Sequence, residues 1–537
     1  MKQNNFLVFV YFTVLVLAFY FPTRQAGFVT DFCGWQEKFD QGSYLDIFTT
    51  FGWHANQQVA AFFFFSVYKI FGTNGWGWYL VFSLLHGANG WLAYRLFNRL
   101  LEKYTVRPAQ LIALTGSVLF LLSPYNAEVL VWRVCIHYLL ATFFMLLLLL
   151  RSISFLETGH TKYLWQVHGL FLLSLFTLEI ALATPALSFI IAVIWMMDST
   201  SLKISYKRLT LLLAPQFVLI VFFFVLNKFL LNEWVGHYGA AVHLNINFVD
   251  IASKYFKYLL KYLLFFRFWD YSFQMKIFSF IESTVFLYVM YGVLVAAFLF
   301  GIVSFRKIKV QLKLISMSAL LFFAALTPVI TLYMVTLLYG ENDRYGYLAA
   351  VFFWMMMALL FSLLPKKFFY GIAAATVVIT VFFLLKINGW WAENDRIYKS
   401  LLNDFRWYDK EEVVVLNIPD NYRGLYMFRI YNEPSGLKEG LALIRKKPFM
   451  GDMHEVTQYN MMTPTDAVSV KADSLHQLKV TLSQWGNWWW WEGRGNADFD
   501  NVHYKVRFNG ITYQLQFKSL KPNHAIIYQV GDRWKEL

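Results

Sequence analysis

The sequence predicts a multi-pass α-helical membrane protein that ends in a small, mainly β extramembrane domain. Three observations lead there. Hydrophobic residues make up 58% of the 537 positions and charged residues only 15%, against about 25% charged in an ordinary soluble domain. The apolar residues gather into long runs, many of them near the ~20 residues that cross a hydrocarbon core as a helix. After Ile387 the texture changes, and apolar runs shorten to strand length. Disorder, coiled coil, collagen and a disulfide-stapled mini-protein are excluded by the same composition.

The first run, 6–21, follows Lys2 and precedes Pro22, Thr23, Arg24 and Gln25. No small-residue cleavage site follows it, so it reads as a retained helix and not as a signal peptide. The stretch 23–73 is polar and aromatic, and its apolar end, 59–71, is too short to cross and is expected to lie in the interface plane. Further spans are expected near 76–94, 108–123, 134–150, 164–181, 184–197, 209–231, 277–304, 314–339, 346–364 and 368–387, about eleven in all. Pro185 divides two of them. Between 254 and 268, Lys254, Lys257, Lys261 and Arg267 recur at helical spacing among Tyr, Phe and Leu. An amphipathic helix on the outer surface is favoured there over another span.

The net charge of +14 comes from short Lys and Arg clusters between the runs, which is how topology is encoded. Lys2 and the clusters in 95–107, 151–162, 203–208, 306–313 and 366–367 fall on one side, the cytoplasmic one. The basic excess is therefore an orientation signal, and no nucleic-acid partner is expected. The opposite face receives the loops 23–73 and 232–276, the 123–133 link, the 340–345 turn and the whole tail. This gives a transmembrane module over 1–390 and an outer domain over 391–537. In a bacterium the protein would sit in the inner membrane, with the N-terminus cytoplasmic and the C-terminal domain periplasmic.

Within the tail, Glu412-Val-Val-Val-Leu-Asn417 reads as a strand, and alternation across 503–517 around Asn509-Gly510 reads as a hairpin. The run Trp488-Trp-Trp-Trp491, with Trp485 before it, reads as interfacial anchoring or core packing, with a sugar-stacking platform as the alternative. Cys33 and Cys135 both fall on the outer, oxidising side, where they either pair or remain two buried thiols. Two cysteines exclude a four-thiolate metal site, and no metal or other cofactor is expected. No internal repeat, Gly-rich phosphate loop, His-Glu-x-x-His or Gly-x-Ser-x-Gly occurs, so soluble-enzyme chemistries are unsupported.

In so apolar a chain the informative residues are ionisable ones near membrane depth, because each costs several kcal/mol unless paired or solvated. Five stand out: Asp31, Glu128, Glu179, Asp343 and Arg344. All but Glu179 are expected on the outer rim. Carboxylates and a guanidinium in an outward cavity suit deprotonation of an acceptor and charge compensation of a phosphate. Each also has a structural reading. Asp31 would cap a loop helix, Glu128 and Glu179 would pair with buried polar groups, and Arg344 would pair with Asp343 or Glu341. His86 and Asn89 would satisfy each other or a neighbouring helix.

The order of these motifs resembles the GT-C superfamily of membrane glycosyltransferases that use polyprenyl-phosphate sugars, and within it the O-mannosyltransferase branch that elsewhere carries tetratricopeptide repeats. Phe28-Val-Thr-Asp31 is similar to that branch's first-loop aspartate motif. Residues 75–90, with His86 and Asn89, are similar to its second-span signature, and Ser123-Pro-Tyr-Asn-Ala-Glu128 to its Pro-x-x-x-Glu segment. Leu178-Glu179 with Pro185 resembles its acidic-then-Pro segment, and Asp343-Arg-Tyr-Gly-Tyr-Leu348 its Arg-Tyr-x-Tyr-Leu segment.

The resemblance, over roughly 1–390, implies a GT-C-like fold and inverting transfer of a sugar from a polyprenyl phosphate to a hydroxyl of a protein, glycan or lipid acceptor. By it, Asp31 is the general base and Arg344 the phosphate partner. His54, in Trp53-His-Ala-Asn56 where the family often has Tyr-Arg-Pro, is a further phosphate or acceptor contact, and Arg133, His137, Glu128 and Asp343 are further candidates. The sequence departs from the pattern in having a single first-loop acid between Thr30 and Phe32, Ser123 in place of His, Leu178 in place of a base, and no repeats. A transporter or flippase, or a non-catalytic scaffold for envelope glycan assembly, are the alternatives, though the two similar halves of an inverted-repeat transporter are not found.

Overall fold

The computed structural model describes residues 5–46, 55–196, 202–234, 247–281, 283–292, 310–330, 343–428, 436–474, 477–482, 489–490 and 498–537. Among the described residues, six helices are long and apolar enough to cross a membrane: Arg133–Thr158, Glu179–Met196, Tyr206–Leu231, Val310–Ile330, Asp343–Phe361 and Lys366–Asp404. Two bent pairs bring the number to eight, Ala109–Leu121 with Pro124–Val131 at 51° and Ser272–Ile281 with Thr284–Gly292 at 57°. Phe6–Phe19 and Gln58–Phe71 are shorter apolar helices. The expected spans 277–304 and 314–339 run in part outside the described residues. The helix Tyr206–Leu231 leaves Val218 67% and Phe229 84% exposed, an apolar face suited to lipid and not to water.

The chain divides into two compact units. The first comprises Met1–Arg24, Ser43–Leu130 and Cys135–Ile387. In it Gly75–Lys103, opened by Asn74 accepting from the Trp76 N–H at 3.1 Å, packs on Asn5–Phe19, Ala109–Leu121 and Ile136–Thr158. Close approach needs small residues here. A Cβ on Gly87 would stand 2.6 Å from Thr13 Oγ1, and one on Gly90 would press on Leu121.

The second unit comprises Gln25–Gly42, Val131–Val134 and Asn388–Leu537. Its strands are β1 (Glu412–Val415), β2 (Ile418–Tyr422), β3 (Leu425–Tyr426), β4 (Asp452–Glu455), β5 (Gln458–Met461), β6 (Val468–Ser474), β7 (Gln477–Leu482), β8 (Trp489–Trp490), β9 (Phe499–Asp500), β10 (Tyr504–Asn509), β11 (Thr512–Phe517), β12 (His524–Val530) and β13 (Arg533–Glu536). They form three sheets, ordered β13-β12-β1-β4, β6-β7-β11-β10-β9 and β3-β2-β5-β8. The Asn509-Gly510 signal forms the β10–β11 hairpin, with Asn509 opposite Thr512 and Gly510 at φ +59°. Of the tryptophan run, Trp489 and Trp490 pair as β8 with β5, while Trp485, Trp488 and Trp491 lie outside the described residues.

Cys33 and Cys135 are both buried and are not joined in a disulfide. Burial pushes the Cys33 thiol up to about 12, so it is a protonated, inert side chain.

Candidate functional site

Proline shapes the first unit's polar centre. Pro124 has no N–H to continue the helix Ala109–Leu121, and the chain turns through the single 3₁₀ turn Pro124–Asn126 before resuming as Ala127–Val131. The Asn126 amide donates to the Phe120 carbonyl at 2.6 Å, satisfying one acceptor freed by the break. Glu128 lies in the first turn after it, 2% exposed. A second 3₁₀ turn, Asp343–Gly346, leads into Tyr347–Phe361 and packs against the first.

At this junction Arg344 meets Glu128 twice. Its backbone N–H donates to Oε2 at 2.8 Å and its Nη1 to Oε1 at 2.6 Å, while Nη2 reaches the Tyr345 hydroxyl at 3.3 Å. The pairings expected for Arg344 were with Asp343 or Glu341; the fold pairs it with Glu128 instead, and Glu341 lies outside the described residues. Asp343, 1% exposed, pairs with both Lys261 Nζ and Arg267 Nη2.

Lys261 sits on Phe248–Leu264, the segment expected as an outer-surface amphipathic helix, yet it is only 3% exposed. Its ammonium stands 5.2 Å from the Tyr125 ring and 5.4 Å from that of Tyr258, within cation–π range. Tyr262 donates to the Gly346 carbonyl at 2.9 Å. Among the described residues, the cluster brings three cations together with two carboxylates. Cationic side chains gathered in an apolar bundle suit an anionic ligand.

Lys261 and Arg267 were legible only as members of a basic helical stripe. Their partner Asp343 is remote in sequence, and nothing in the local spacing announces it.

The other candidates among the described residues have partners of their own. His86 lies within hydrogen-bond distance of the Tyr347 hydroxyl at 2.7 Å and the Leu121 carbonyl at 3.1 Å, and Asn89 donates to the Leu139 carbonyl at 3.0 Å and to the Tyr347 hydroxyl at 3.1 Å. These two tie helices together. Glu179 accepts from Gln57 Nε2 at 3.0 Å. His137 is in the first turn of Ile136–Thr158, its ring 4.6 Å from that of Tyr138. His54 lies outside the described residues.

Asp31 and Arg133 belong to the second unit. Asp31 is the first residue of the helix Asp31–Gln41 and is partly exposed. There the positive end of the helix dipole favours a negative charge. The preceding Thr30 has φ +51°, a left-handed conformation that a β-branched residue adopts only when its surroundings impose it.

Those surroundings are defined. Gly27 at φ +95° approaches Val131 so closely that a Cβ would lie 1.7 Å from its carbonyl oxygen. Arg133 donates its N–H to the Gly27 carbonyl at 3.1 Å, and Trp132 Nε1 donates to the Val29 carbonyl at 3.3 Å. The fully buried Arg133 guanidinium lies 5.9 Å from the Phe28 ring. The loop before Asp31 is therefore laced to 131–133 on both sides.

Glu412, His454 and His503 were not among the candidate site residues of the sequence. One ligand atom from each lies within 4.8 Å of the others. They come from separate segments, so no spacing motif marks them.

No family model matches the chain, and no curated protein does. Among solved structures it is similar to ArnT from Cupriavidus metallidurans, a crystal structure bound to undecaprenyl phosphate, at 12% identity and a TM-score of 0.33 over 90% of this chain and 99% of that one. A likeness that faint does not fix a fold.

Proposed function

We propose that the protein transfers a sugar from a polyprenyl-phosphate carrier to a hydroxyl acceptor at the outer face of the membrane, with inversion at the anomeric carbon. The Asp31 carboxylate takes the proton of the acceptor hydroxyl as its oxygen bonds to the anomeric carbon. The bond from that carbon to the phosphate oxygen breaks, and polyprenyl phosphate leaves. The order of the sequence motifs supports this reading.

The observation that carries it is the buried cluster that gathers Lys261, Arg267 and Arg344 at one junction with Asp343 and Glu128. The donor's phosphodiester carries one negative charge and the leaving monoester carries more, about 1.5 to 2 near neutrality. Cations fixed beside that phosphate bind the departing group better than the ground state, which is how electrostatic preorganisation accelerates a reaction. Asp31 at a helix N-terminus, on a backbone held strained at Thr30, fits a positioned base.

The test is transfer by the full chain in lipid nanodiscs, supplied with radiolabelled polyprenyl-phosphate sugars and envelope acceptors. Asp31→Asn should lower the rate by about 10²–10⁴, the contribution of a general base, with expression and unfolding temperature unchanged. Undiminished product from that variant would overturn the assignment. Lys261→Met should lower transfer as well, and acceptor-independent release of the sugar would point to hydrolysis instead.

A further inference from the structure

The C-terminal unit holds a second constellation that sugar transfer does not use. Glu412 opens β1 and His454 lies on β4, and these strands run parallel with Glu412 opposite Asp452 and Val414 opposite His454. Glu412 and His454 are thus two positions apart along one ladder, and residues so spaced share a face of the sheet. His454 Nε2 lies 3.1 Å from Glu412 Oε1. The third member comes from a different sheet. His503 immediately precedes β10, and its ring stands 4.2 Å from that of His454 at an interplanar angle of 37°.

Each of the three is held from behind. Glu412 is 2% exposed, and its second oxygen, Oε2, accepts the Lys521 backbone N–H at 2.6 Å. His454 is fixed by the β1–β4 register. The His503 N–H donates to Asn501 Oδ1 at 2.9 Å, and its carbonyl accepts from the Lys518 N–H at 2.8 Å. The Lys521 contact is of the outer kind that orients a metal ligand, while the contacts at His454 and His503 fix the backbone that carries each imidazole. The neighbouring Asp452 is engaged by Lys521 Nζ at 2.7 Å, which leaves two imidazoles and one carboxylate as the donor set.

We propose that Glu412, His454 and His503 bind one Zn²⁺, which clips the β13-β12-β1-β4 sheet to the β6-β7-β11-β10-β9 sheet and keeps a fourth position for water. Two imidazoles and one carboxylate suit zinc, whereas Mg²⁺ and Ca²⁺ select all-oxygen shells. Bonds of about 2.0–2.1 Å place tetrahedral donors about 3.4 Å apart. The Glu412–His454 separation of 3.1 Å is already near that edge, and the 4.8 Å bound on the set closes to it by side-chain rotation. The ion stays within one unit and is independent of the transfer reaction.

The experiment uses the full chain in detergent, its purification tag removed and its metals stripped by chelator, titrated with Zn²⁺ against a chromophoric chelator. The wild type should take up one Zn²⁺ per chain, and His503→Ala and His454→Ala should each bind at least about 100-fold more weakly, the upper end of what even outer-shell changes produce. Co²⁺ in place of Zn²⁺ should give the visible absorption of a tetrahedral site, absent in His503→Ala. Unfolding followed in excess chelator separates loss of the site from loss of the fold. There His503→Ala should match the wild type, and only the wild type should gain stability when Zn²⁺ is restored. If His503→Ala destabilises the chain even in chelator, Glu412→Gln, which keeps the acceptor for Lys521, takes its place in the same titration. Equal Zn²⁺ affinity in the wild type and in a folded variant, or Mg²⁺ competing as well as Zn²⁺, would overturn the proposal.

Discussion

Removing either partner of the Glu128–Arg344 pair strands the other ion in the bundle, which costs about 3–5 kcal/mol for a buried pair. Both side chains are largely buried, 3% and 15% exposed, and the contact is doubled through the backbone N–H. Glu128→Leu alone should therefore lower the unfolding temperature markedly. The double variant Glu128→Leu with Arg344→Leu should recover most of that loss, since apolar replacement of a buried ion pair is often neutral. Transfer should stay low in the double variant, because the Arg344 guanidinium proposed to meet the phosphate is gone. Unfolding curves and transfer rates of the wild type, Glu128→Leu and the double variant separate the two roles.

Glu455 lies on β4 and is buried. Burial pushes its carboxyl up to about 8, and Oε1 accepts the Leu437 N–H at 3.0 Å. Near neutrality it is mostly a neutral acid. Between the ordinary carboxylate range and pH 8 the folded chain binds this proton and the unfolded chain does not. The contribution of this group to stability is therefore fully present below the ordinary carboxylate range and is lost as pH rises through about 8, by a few kcal/mol at most. Glu455→Gln should flatten that slope and leave the chain more stable than wild type at alkaline pH. Hydrogen exchange of the strands around β4, followed across the pH range, is the measurement.

At the scale of elements, legibility followed locality. The β10–β11 hairpin was readable because Asn509-Gly510 fixes the turn and the alternation fixes the register within one short stretch. The break at Ser123-Pro124 was readable because proline removes a donor. The basic stripe on Phe248–Leu264 was readable as amphipathic, but the burial of Lys261 depends on Asp343, which no local pattern reveals. Asp31, Glu128, Asp343 and Arg344 were visible as ions where ions are expensive. That Arg344 meets Glu128 and Asp343 meets Lys261 and Arg267 follows from helix packing, which a single sequence does not specify. The same reason hid Glu412, His454 and His503, which only strand pairing and sheet packing bring together.

At the scale of the whole molecule, the β-rich unit is assembled from three stretches of chain. Gln25–Gly42 and Val131–Val134 join Asn388–Leu537, and the contacts are specific. Gln36 donates to the Leu443 carbonyl at 3.3 Å, Lys399 to the Gln25 carbonyl at 3.1 Å, and the Trp132 and Tyr426 rings meet at 4.6 Å. Phe32, Trp35, Phe39 and Trp132 are all buried. At about 1.5–3 kcal/mol for each large apolar side chain, these four contribute on the order of 10 kcal/mol gross, an upper bound because unfolded chains already bury part of this surface. That is comparable to the entire net stability of a typical domain, about 5–15 kcal/mol. Segment 388–537 expressed alone should therefore lack a cooperative unfolding transition, and joining 25–42 to it through a flexible linker should restore one. Near-UV circular dichroism during thermal melts distinguishes the outcomes. A cooperative transition in the bare segment would mean that the first-loop helix rests on an already stable domain, leaving the strained backbone before Asp31 to be held by the 131–134 stretch.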